Sequence, residues 1–278
     1  MRVLPFLPLA RQFRAVLLDS YGVLKDAGGL IEGGPETIAR LREENVAIRV
    51  LTNDASRSKG RQGRRFREMG YDLRPDEIIS SGMMARLFLQ DKIVSGKVAY
   101  LGTDAAAGYI EDAGCEPIPV RDVTDDTDIQ AMAFLDDEGF DWNTDLNATV
   151  NLLRERVIPV LVANSDRLYP VREGRVGIAA GGLAAAIEPL VGRTFLRFGK
   201  PDSQMFSYAY EDLNLHDSVR KREILMVGDT LGTDILGGNK FGIRTCLTLS
   251  GNTSPRDFQR EIARVGIVPD YVVEMIGT

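Results

Sequence analysis

Histidine and cysteine are scarce in this sequence, and each scarcity excludes a class of site. The 278 residues include one histidine, His216, and two cysteines, Cys115 and Cys246. A single histidine excludes a His-rich metal site and leaves a Ser-His-Asp hydrolase only His216 to build on. Two isolated cysteines do not make a disulfide framework, so we expect a reducing, cytoplasmic setting.

Long apolar runs and an excess of positive charge are missing as well. No stretch approaches the roughly 18 consecutive apolar residues that a membrane span needs. The formal net charge of −6 argues against a general binder of nucleic acid or of anionic membranes, and we predict neither partner. Pro5 and Pro8 interrupt the apolar run within residues 1–15, and Arg11 and Arg14 follow it. We interpret this stretch as a lead-in segment beside the first strand and not as a signal peptide.

The sequence does contain a regular alternation of short apolar runs with amphipathic stretches. Residues 16–18, 46–51, 223–227 and 245–249 are typical of buried strands, and the stretches between such runs are typical of helices. Strands that alternate with helices predict a parallel sheet covered by helices. A second alternation of the same kind, between residues 97 and 191, interrupts the first.

We therefore predict an α/β fold with a doubly wound, Rossmann-like parallel-sheet core and an inserted smaller α/β cap domain. The predicted core comprises residues 1–82 and 194–278, and the predicted cap comprises residues 83–193. The chain is long enough for one large domain or two moderate ones, which agrees with this division.

Finer expectations follow from the same patterns. Gly181 and Gly182 should form a tight turn before a helix. Residues 234–241 should be helical, and residues 271–273 should form the last edge strand.

Polar residues follow four of the predicted core strands. Asp19 comes after the first strand, Thr52 and Asn53 after the second, Lys200 after a short strand and Asp229 after a strongly apolar one. Ligands of open α/β sheets bind outside the carboxyl ends of the strands. Taken alone, each residue has a common structural explanation as a turn residue, a helix cap or a solvated lysine. Because they occur together, we favour a shared site.

The segments that carry these residues resemble the haloacid dehalogenase superfamily over nearly the whole chain. The inserted block is similar to the large α/β cap of its subfamily IIA, a group of sugar-phosphate and nucleotide phosphatases. Val227–Ile235 is close to that subfamily's fourth motif, and Phe198–Asp202 matches its Gly-Lys-Pro motif. Ala163–Asp166 and Gly181–Glu188 match segments of its cap.

The resemblance implies a magnesium-dependent hydrolase that removes phosphate from a small phosphorylated metabolite. Asp19 would attack phosphorus and form an aspartyl-phosphate, which a carboxylate can do when a cation screens the repulsion between two anions. Asp19, Asp229, Asp234 and the backbone carbonyl of Tyr21 would hold Mg²⁺, a hard cation that prefers oxygen ligands. Lys200 would stabilise the charge that develops in the transition state.

The same resemblance implies which residues bind the phosphate group. Thr52 offers a hydroxyl and Asn53 a backbone N–H. The amides of Ser20 and Tyr21 would form a turn aimed at the same place.

The cap would contact the organic part of the substrate, with Asn164 and Asp166 as the predicted contacts. Sugar phosphates, nucleoside monophosphates, glycerol phosphate and pyridoxal phosphate all suit the subfamily, and a homodimer is the assembly we consider.

Tyr21 departs from the pattern of the family's phosphatases. These enzymes carry a second Asp two residues after the nucleophile, which protonates the leaving alcohol and then activates water. Tyr21 keeps the backbone carbonyl of that position but not the carboxyl group. General acid–base catalysis is typically worth about 10² to 10⁴ in rate, and a phenol with an ordinary pKa of about 10 is a poor base at neutral pH.

Three hypotheses remain open at this point. The first is a phosphatase, slowed by Tyr21 or served by another acid. The second is a protein that binds a phosphorylated ligand with weak or no turnover. The third is a true dehalogenase, since an Asp-x-Tyr-Gly start also resembles that branch of the superfamily. The third is disfavoured because dehalogenases need no magnesium and have helical caps.

Overall fold

The computed structural model describes residues 1–26, 28–172, 175–215 and 218–277. His216 therefore lies outside the described residues. The chain divides into two compact units. The first unit contains residues 1–52, 59–79 and 200–278, and the second contains residues 53–58 and 80–199.

The strands are two to six residues long. In chain order they are β1 (Val3–Leu4), β2 (Ala15–Leu18), β3 (Lys25–Asp26), β4 (Gly29–Leu30), β5 (Ala47–Thr52), β6 (Ile78–Ser80), β7 (Lys97–Leu101), β8 (Glu116–Pro119), β9 (Ile129–Phe134), β10 (Val160–Val162), β11 (Leu168–Arg172), β12 (Arg175–Ile178), β13 (Leu196–Arg197), β14 (Ile224–Gly228), β15 (Arg244–Thr248) and β16 (Tyr271–Val273).

Helices connect most of these strands. In chain order they are α1 (Phe6–Ala10), α2 (Gly34–Glu43), α3 (Lys59–Glu68), α4 (Ser81–Phe88), α5 (Asp104–Glu111), α6 (Thr144–Glu155), α7 (Ala180–Val191), α8 (Ser203–Asn214), α9 (Leu236–Phe241) and α10 (Phe258–Val265). Short π-helical segments follow α4, at Leu89–Ile93, and precede α9, at Leu231–Ile235.

The first unit contains a sheet with the strand order β1-β16-β15-β14-β2-β5-β6, which we call the first sheet. The pairings from β1 through to β5 are parallel. Every residue of β2 and β14 is buried, which accounts for their continuous apolar sequences. The doubly wound core predicted from the sequence is confirmed.

The second unit contains its own parallel sheet, the second sheet, with the strand order β13-β10-β9-β7-β8. A separate apolar cluster fills this unit, with Phe134 stacked on Phe195 at a centroid distance of 5.6 Å. The prediction of an additional α/β unit within the core sequence is thus confirmed. The cap boundaries at residues 83 and 193 stay a prediction.

One of the finer expectations was wrong, and another was confirmed. Gly181 and Gly182 lie in the first turn of α7 and not in a turn before it. A Cβ atom on Gly181 would come within 2.5 Å of the carbonyl oxygens of Ser165 and Asp166, so the helix start packs directly on that loop. Residues 234–241 are helical as expected, although Asp234 and Ile235 lie in the π-helical segment that precedes α9.

The edges of the sheets also differ from expectation. β16 is a strand, but β1 pairs outside it through Val3 with Val272 and Leu4 with Val273, so the start of the chain forms the edge far from β2. β13, expected in the core, pairs with β10 in the second sheet. The antiparallel hairpin of β11 and β12 and the strand β8 were missed.

Among the residues that the structure describes, no helix is both long enough and apolar enough to span a bilayer.

Candidate active site

The strand order of the first sheet reverses between β2 and β14. From β2 the sheet continues through β5 to β6 on one side, and from β14 through β15 and β16 to β1 on the other. Ligands of doubly wound sheets bind at the carboxyl ends of the strands beside such a reversal. Asp19 follows β2, with its N–H donating to the carbonyl of Val227 at 2.9 Å, and Asp229 directly follows β14. Thr52 is the last residue of β5 and is buried.

Asp19, Asp229 and Asp234 form a tight group of carboxylates at this point. One oxygen from each lies within 4.8 Å of the others. Asp229 and Asp234 are fully buried, and the Asp19 side chain is 14% exposed. The N–H of Thr230 donates to Asp234 Oδ2 at 3.1 Å, which fixes the third carboxylate beside the second.

Lys200 reaches the same group from the loop before α8. Its Nζ lies 2.6 Å from Asp19 Oδ1 and 2.7 Å from Asp234 Oδ1, and it donates to the carbonyl of Leu51 at 2.8 Å. The side chain is only 2% exposed. A buried ammonium group is tolerated only when it is paired, and here two carboxylates and a carbonyl pair it.

Burial and mutual repulsion strongly perturb these groups. Burial raises the pKa of Asp19 well above its ordinary value; Asp234 and Asp229 raise it further, while Lys200 opposes the rise. Burial and then the neighbouring Asp234 raise the pKa of Asp229 to about 7. Burial alone would lower the pKa of Lys200, but the charges of Asp19 and Asp234 outweigh that effect and raise it. Perturbed groups clustered in this way are typical of functional sites.

The residues present fit a divalent cation. Three carboxyl groups lie together in a buried place beside one ammonium group, and a divalent cation would balance the negative charge that their ionised forms carry. Asp234 Oδ1, although near Lys200 Nζ, makes no hydrogen bond of normal geometry within the described part of the chain. Carboxylate oxygens are the ligands that Mg²⁺ prefers, and one or two carboxylates commonly hold it in proteins.

Glycines let the backbone come close to two of the carboxylates. Gly22 has φ +74°, a conformation that favours glycine, and a Cβ atom there would overlap the Asp229 carboxylate. A Cβ atom on Gly228 would overlap the carboxylate of Asp234. Side chains at either position would displace a predicted metal ligand.

The turn after Asp19 contains the predicted amides of Ser20 and Tyr21. The N–H of Ser20 donates to Asp19 Oδ1 at 2.7 Å, and its carbonyl accepts from Leu24 N at 2.9 Å and Lys25 N at 3.1 Å. The Ser20 amide is therefore engaged with the nucleophile candidate itself. Tyr21 forms a β-bridge with Lys25 and is half-buried.

The predicted binding residues Asn53, Asn164 and Asp166 belong to the second unit, where they are linked to one another. Asn53 Nδ2 donates to Asp166 Oδ1 at 2.9 Å and to Ser165 Oγ at 3.3 Å. The N–H of Asp166 donates to Asn164 Oδ1 at 2.9 Å, and Ser81 Oγ donates to the Asn53 carbonyl at 2.8 Å. This network fixes Asn53, the residue that follows Thr52 along the chain.

Sequence reasoning missed the segment after β15. Thr253 Oγ1 donates to the Asp229 carbonyl at 2.6 Å, and Ser250 Oγ donates to the carbonyl of Gly22 at 2.7 Å. A Cβ atom on Gly251 would overlap the Asp229 carboxylate. The only sequence signal is a Ser-Gly-Asn-Thr turn after a strand, which is common in loops.

Comparisons with known proteins point in the same direction. Residues 16–116 match a family of haloacid dehalogenase-like hydrolases, and residues 197–277 match a HAD-hydrolase-like family. Chronophin from Rattus norvegicus is 32% identical over 274 residues, which cover 96% of this chain and 86% of chronophin.

Solved structures resemble the whole chain. A possible sugar phosphatase of the HAD superfamily from Cytophaga hutchinsonii is 44% identical, with a TM-score of 0.96 and coverage of 100% of this chain and 99% of that one. A 4-nitrophenylphosphatase from Thermotoga maritima is 27% identical, with a TM-score of 0.81 and coverage of 97% of both chains.

The resemblance predicted from the sequence motifs is thereby confirmed, and with it the prediction of a phosphatase. The chain belongs to the haloacid dehalogenase-like hydrolases and, within that superfamily, to the phosphatases of subfamily IIA.

Proposed function

We propose that this protein is a magnesium-dependent phosphatase that acts on a small phosphorylated metabolite through an aspartyl-phosphate on Asp19. The observation that carries the proposal is the buried group of Asp19, Asp229 and Asp234 around Lys200 at the reversal of the first sheet. Such a group of like charges is costly to bury. A bound Mg²⁺ ion, which carboxylates and a substrate phosphate commonly hold together, would balance these charges.

Asp19, Asp229, Asp234 and the backbone carbonyl of Tyr21 would hold Mg²⁺. When bound, the ion would screen the repulsion between the Asp19 carboxylate and the phosphate group and would favour the ionised forms of its ligands. The hydrogen bonds to Asp229 and Asp234 already fix both carboxylates before any ion binds.

The chemical step belongs to Asp19. One carboxylate oxygen attacks phosphorus, the bond from phosphorus to the ester oxygen breaks, and the leaving oxygen takes the electron pair. Water then attacks the same phosphorus, which releases inorganic phosphate and restores the carboxylate. Lys200 neutralises charge beside Asp19 throughout, while the Thr52 hydroxyl and the backbone amides of Asn53 and Tyr21 supply donors to the phosphate oxygens.

Tyr21 is expected to slow both chemical steps. A carboxyl group at this position would protonate the leaving alcohol and later activate water, and Tyr21 has none. Both steps are therefore expected to be slow with alkyl phosphates. With p-nitrophenyl phosphate the first step is largely spared, because nitrophenolate leaves without much protonation.

The substrate class rests on the similar proteins. One solved structure is described as a possible sugar phosphatase, which supports a small sugar phosphate or a related metabolite. Asn164 and Asp166, which a hydrogen bond joins within the second unit, are proposed to contact its organic part. A cytoplasmic location and a homodimer stay predictions.

The test is hydrolysis of p-nitrophenyl phosphate beside a panel of natural phosphomonoesters, with Mg²⁺ and with a chelator. The proposal expects Mg²⁺-dependent turnover that is faster on the activated ester. Turnover that persists in the chelator would contradict the role of the metal. Absence of turnover in folded protein that still binds Mg²⁺ and phosphate would favour the ligand-binding hypothesis, for which Tyr21 is the supporting observation.

A further inference from the structure

The side chain of Asn252 lies next to the carboxylate group but outside every motif that the sequence analysis used. Its backbone N–H donates to Asp229 Oδ2 at 2.7 Å. Its side-chain Nδ2 donates to Thr230 Oγ1 at 2.9 Å, and Thr230 Oγ1 donates to Asp229 Oδ1 at 2.8 Å. Both oxygens of the Asp229 carboxylate are therefore held through this one residue.

The single hydroxyl proton of Thr230 decides which group donates in each of these hydrogen bonds. The Thr230 hydroxyl has one proton, which it gives to Asp229, so it must accept from its other neighbour. The amide group of Asn252 supplies that donor. A chain from amide to hydroxyl to carboxylate strengthens each of its hydrogen bonds and keeps the hydroxyl proton aimed at Asp229.

Thr230 also connects the two buried carboxylates. Its backbone N–H donates to Asp234 Oδ2 at 3.1 Å while its hydroxyl donates to Asp229 Oδ1. A rotation of the Thr230 side chain would therefore loosen Asp229 without releasing Asp234. Partners that orient a metal-binding carboxylate typically contribute about 10- to 100-fold to metal affinity.

We propose that Asn252 is a positioning residue for magnesium binding, acting on Asp229 through the Thr230 hydroxyl. This inference rests on the proposed function, because it assumes that Asp229 holds the ion. Asn252 itself is exposed, so its side chain can be changed at little cost to the packing of the first unit.

The experiment measures Mg²⁺ affinity by calorimetry, without substrate, in the wild type, Asn252→Ala, Thr230→Val and the double variant. Thr230→Val should weaken binding about 10- to 100-fold, and Asn252→Ala should weaken it by several-fold. In the Thr230→Val background, Asn252→Ala should change nothing further, because its effect passes through the missing hydroxyl. Thr230→Ser, which keeps the hydroxyl, should restore affinity close to that of the wild type.

Controls separate this inference from the proposed function. Asn147→Ala removes an exposed asparagine of α6 in the second unit and should leave Mg²⁺ affinity unchanged. Unchanged affinity in Asn252→Ala, or an equal loss in both backgrounds, would overturn the positioning role while leaving the metal site intact. Failure of the wild type to bind Mg²⁺ would overturn both.

Discussion

The two units place acidic residues at the carboxyl ends of their parallel sheets in different ways. In the first unit, Asp19 and Asp234 share the single ammonium group of Lys200, with Asp229 beside them. In the second unit, Asp136 accepts from Thr103 Oγ1 at 3.2 Å and from the N–H of the next residue at 3.0 Å. An acid at a strand end is thus ordinary, whereas several buried acids that share one cation indicate chemistry.

Replacing the nucleophile candidate should have the largest effect. Asp19→Asn keeps the size of the side chain but removes the attacking charge, so magnesium-dependent hydrolysis should fall by at least about a thousand-fold. The measurement is steady-state hydrolysis of p-nitrophenyl phosphate, with circular dichroism to show an unchanged fold. The matched variant Asp137→Asn, in the second unit, should keep its hydrolysis within a few-fold. Activity retained in Asp19→Asn would remove this residue from the nucleophilic role.

Removing the shared cation should lower both activity and stability. Lys200→Met leaves the buried carboxylates without their ammonium partner, which typically costs about 3 to 5 kcal/mol in the free energy of unfolding. Loss of a group that stabilises developing charge costs about 10² to 10³ in rate. Urea unfolding with and without Mg²⁺ checks the first effect, and Mg²⁺ should recover part of the loss.

The control for that variant is a lysine of the second unit. Lys97 is 41% exposed and lies 3.8 Å from Glu116, so Lys97→Met should change the free energy of unfolding by no more than about 0.5 kcal/mol. If both substitutions lowered the free energy of unfolding equally, Lys200 would not be a special partner of buried carboxylates.

Restoring the missing carboxyl group should accelerate hydrolysis. Tyr21→Asp keeps the backbone carbonyl and supplies an acid and base, so turnover of alkyl phosphomonoesters should rise by up to about 10² to 10⁴. The rise should be smaller with p-nitrophenyl phosphate, whose leaving group needs little protonation. Tyr21→Phe should behave like the wild type, and a large loss there would show that the phenol takes part.

The smallest effect is expected for a variant of the second unit, at Asp136. It is a change in how the free energy of unfolding depends on pH. Burial raises the pKa of Asp136 to about 6 in the folded protein, against about 3.9 when unfolded. The folded state then holds the proton more tightly, so this group favours folding at low pH, and its contribution is lost as pH rises from about 4 to about 6.

Asp136→Asn should remove this pH dependence of the free energy of unfolding. Relative to the wild type, the variant should gain stability as pH rises through this window, and its Mg²⁺ affinity should be unchanged. Urea unfolding at several pH values checks the first outcome and calorimetry the second. A constant stability difference across the window would show that Asp136 is not perturbed, and weakened Mg²⁺ binding would place it in the same network as Asp229.

Local patterns predicted the architecture, and the resemblance of the motifs singled out the residues that the structure brings together around Lys200. Buried strands such as β2 and β14 have continuous apolar sequences, and a polar residue after each strand is visible in the sequence. Strand order is a long-range property, so the outer position of β1 and the pairing of β13 with β10 could not be predicted.

The contacts among polar side chains were also beyond the sequence. Asn252 lies 22 residues from Thr230, and Asn53 lies 113 residues from Asp166, so no local pattern links either pair. The π-helical segment at Leu231–Ile235 differs from an α-helix by one residue per hydrogen bond, and its sequence is compatible with both. Such features become visible only when the chain is folded.

The most direct test of the proposed mechanism is to trap the aspartyl-phosphate. Rapid mixing of the protein with p-nitrophenyl phosphate and Mg²⁺ should give a burst of nitrophenolate, since Tyr21 leaves the attack of water as the slow step. Reduction of the quenched protein with borohydride should then convert Asp19 to homoserine, found by peptide mass spectrometry only when substrate and Mg²⁺ were both present. Turnover with no burst and with Asp19 unmodified would contradict an aspartyl-phosphate mechanism.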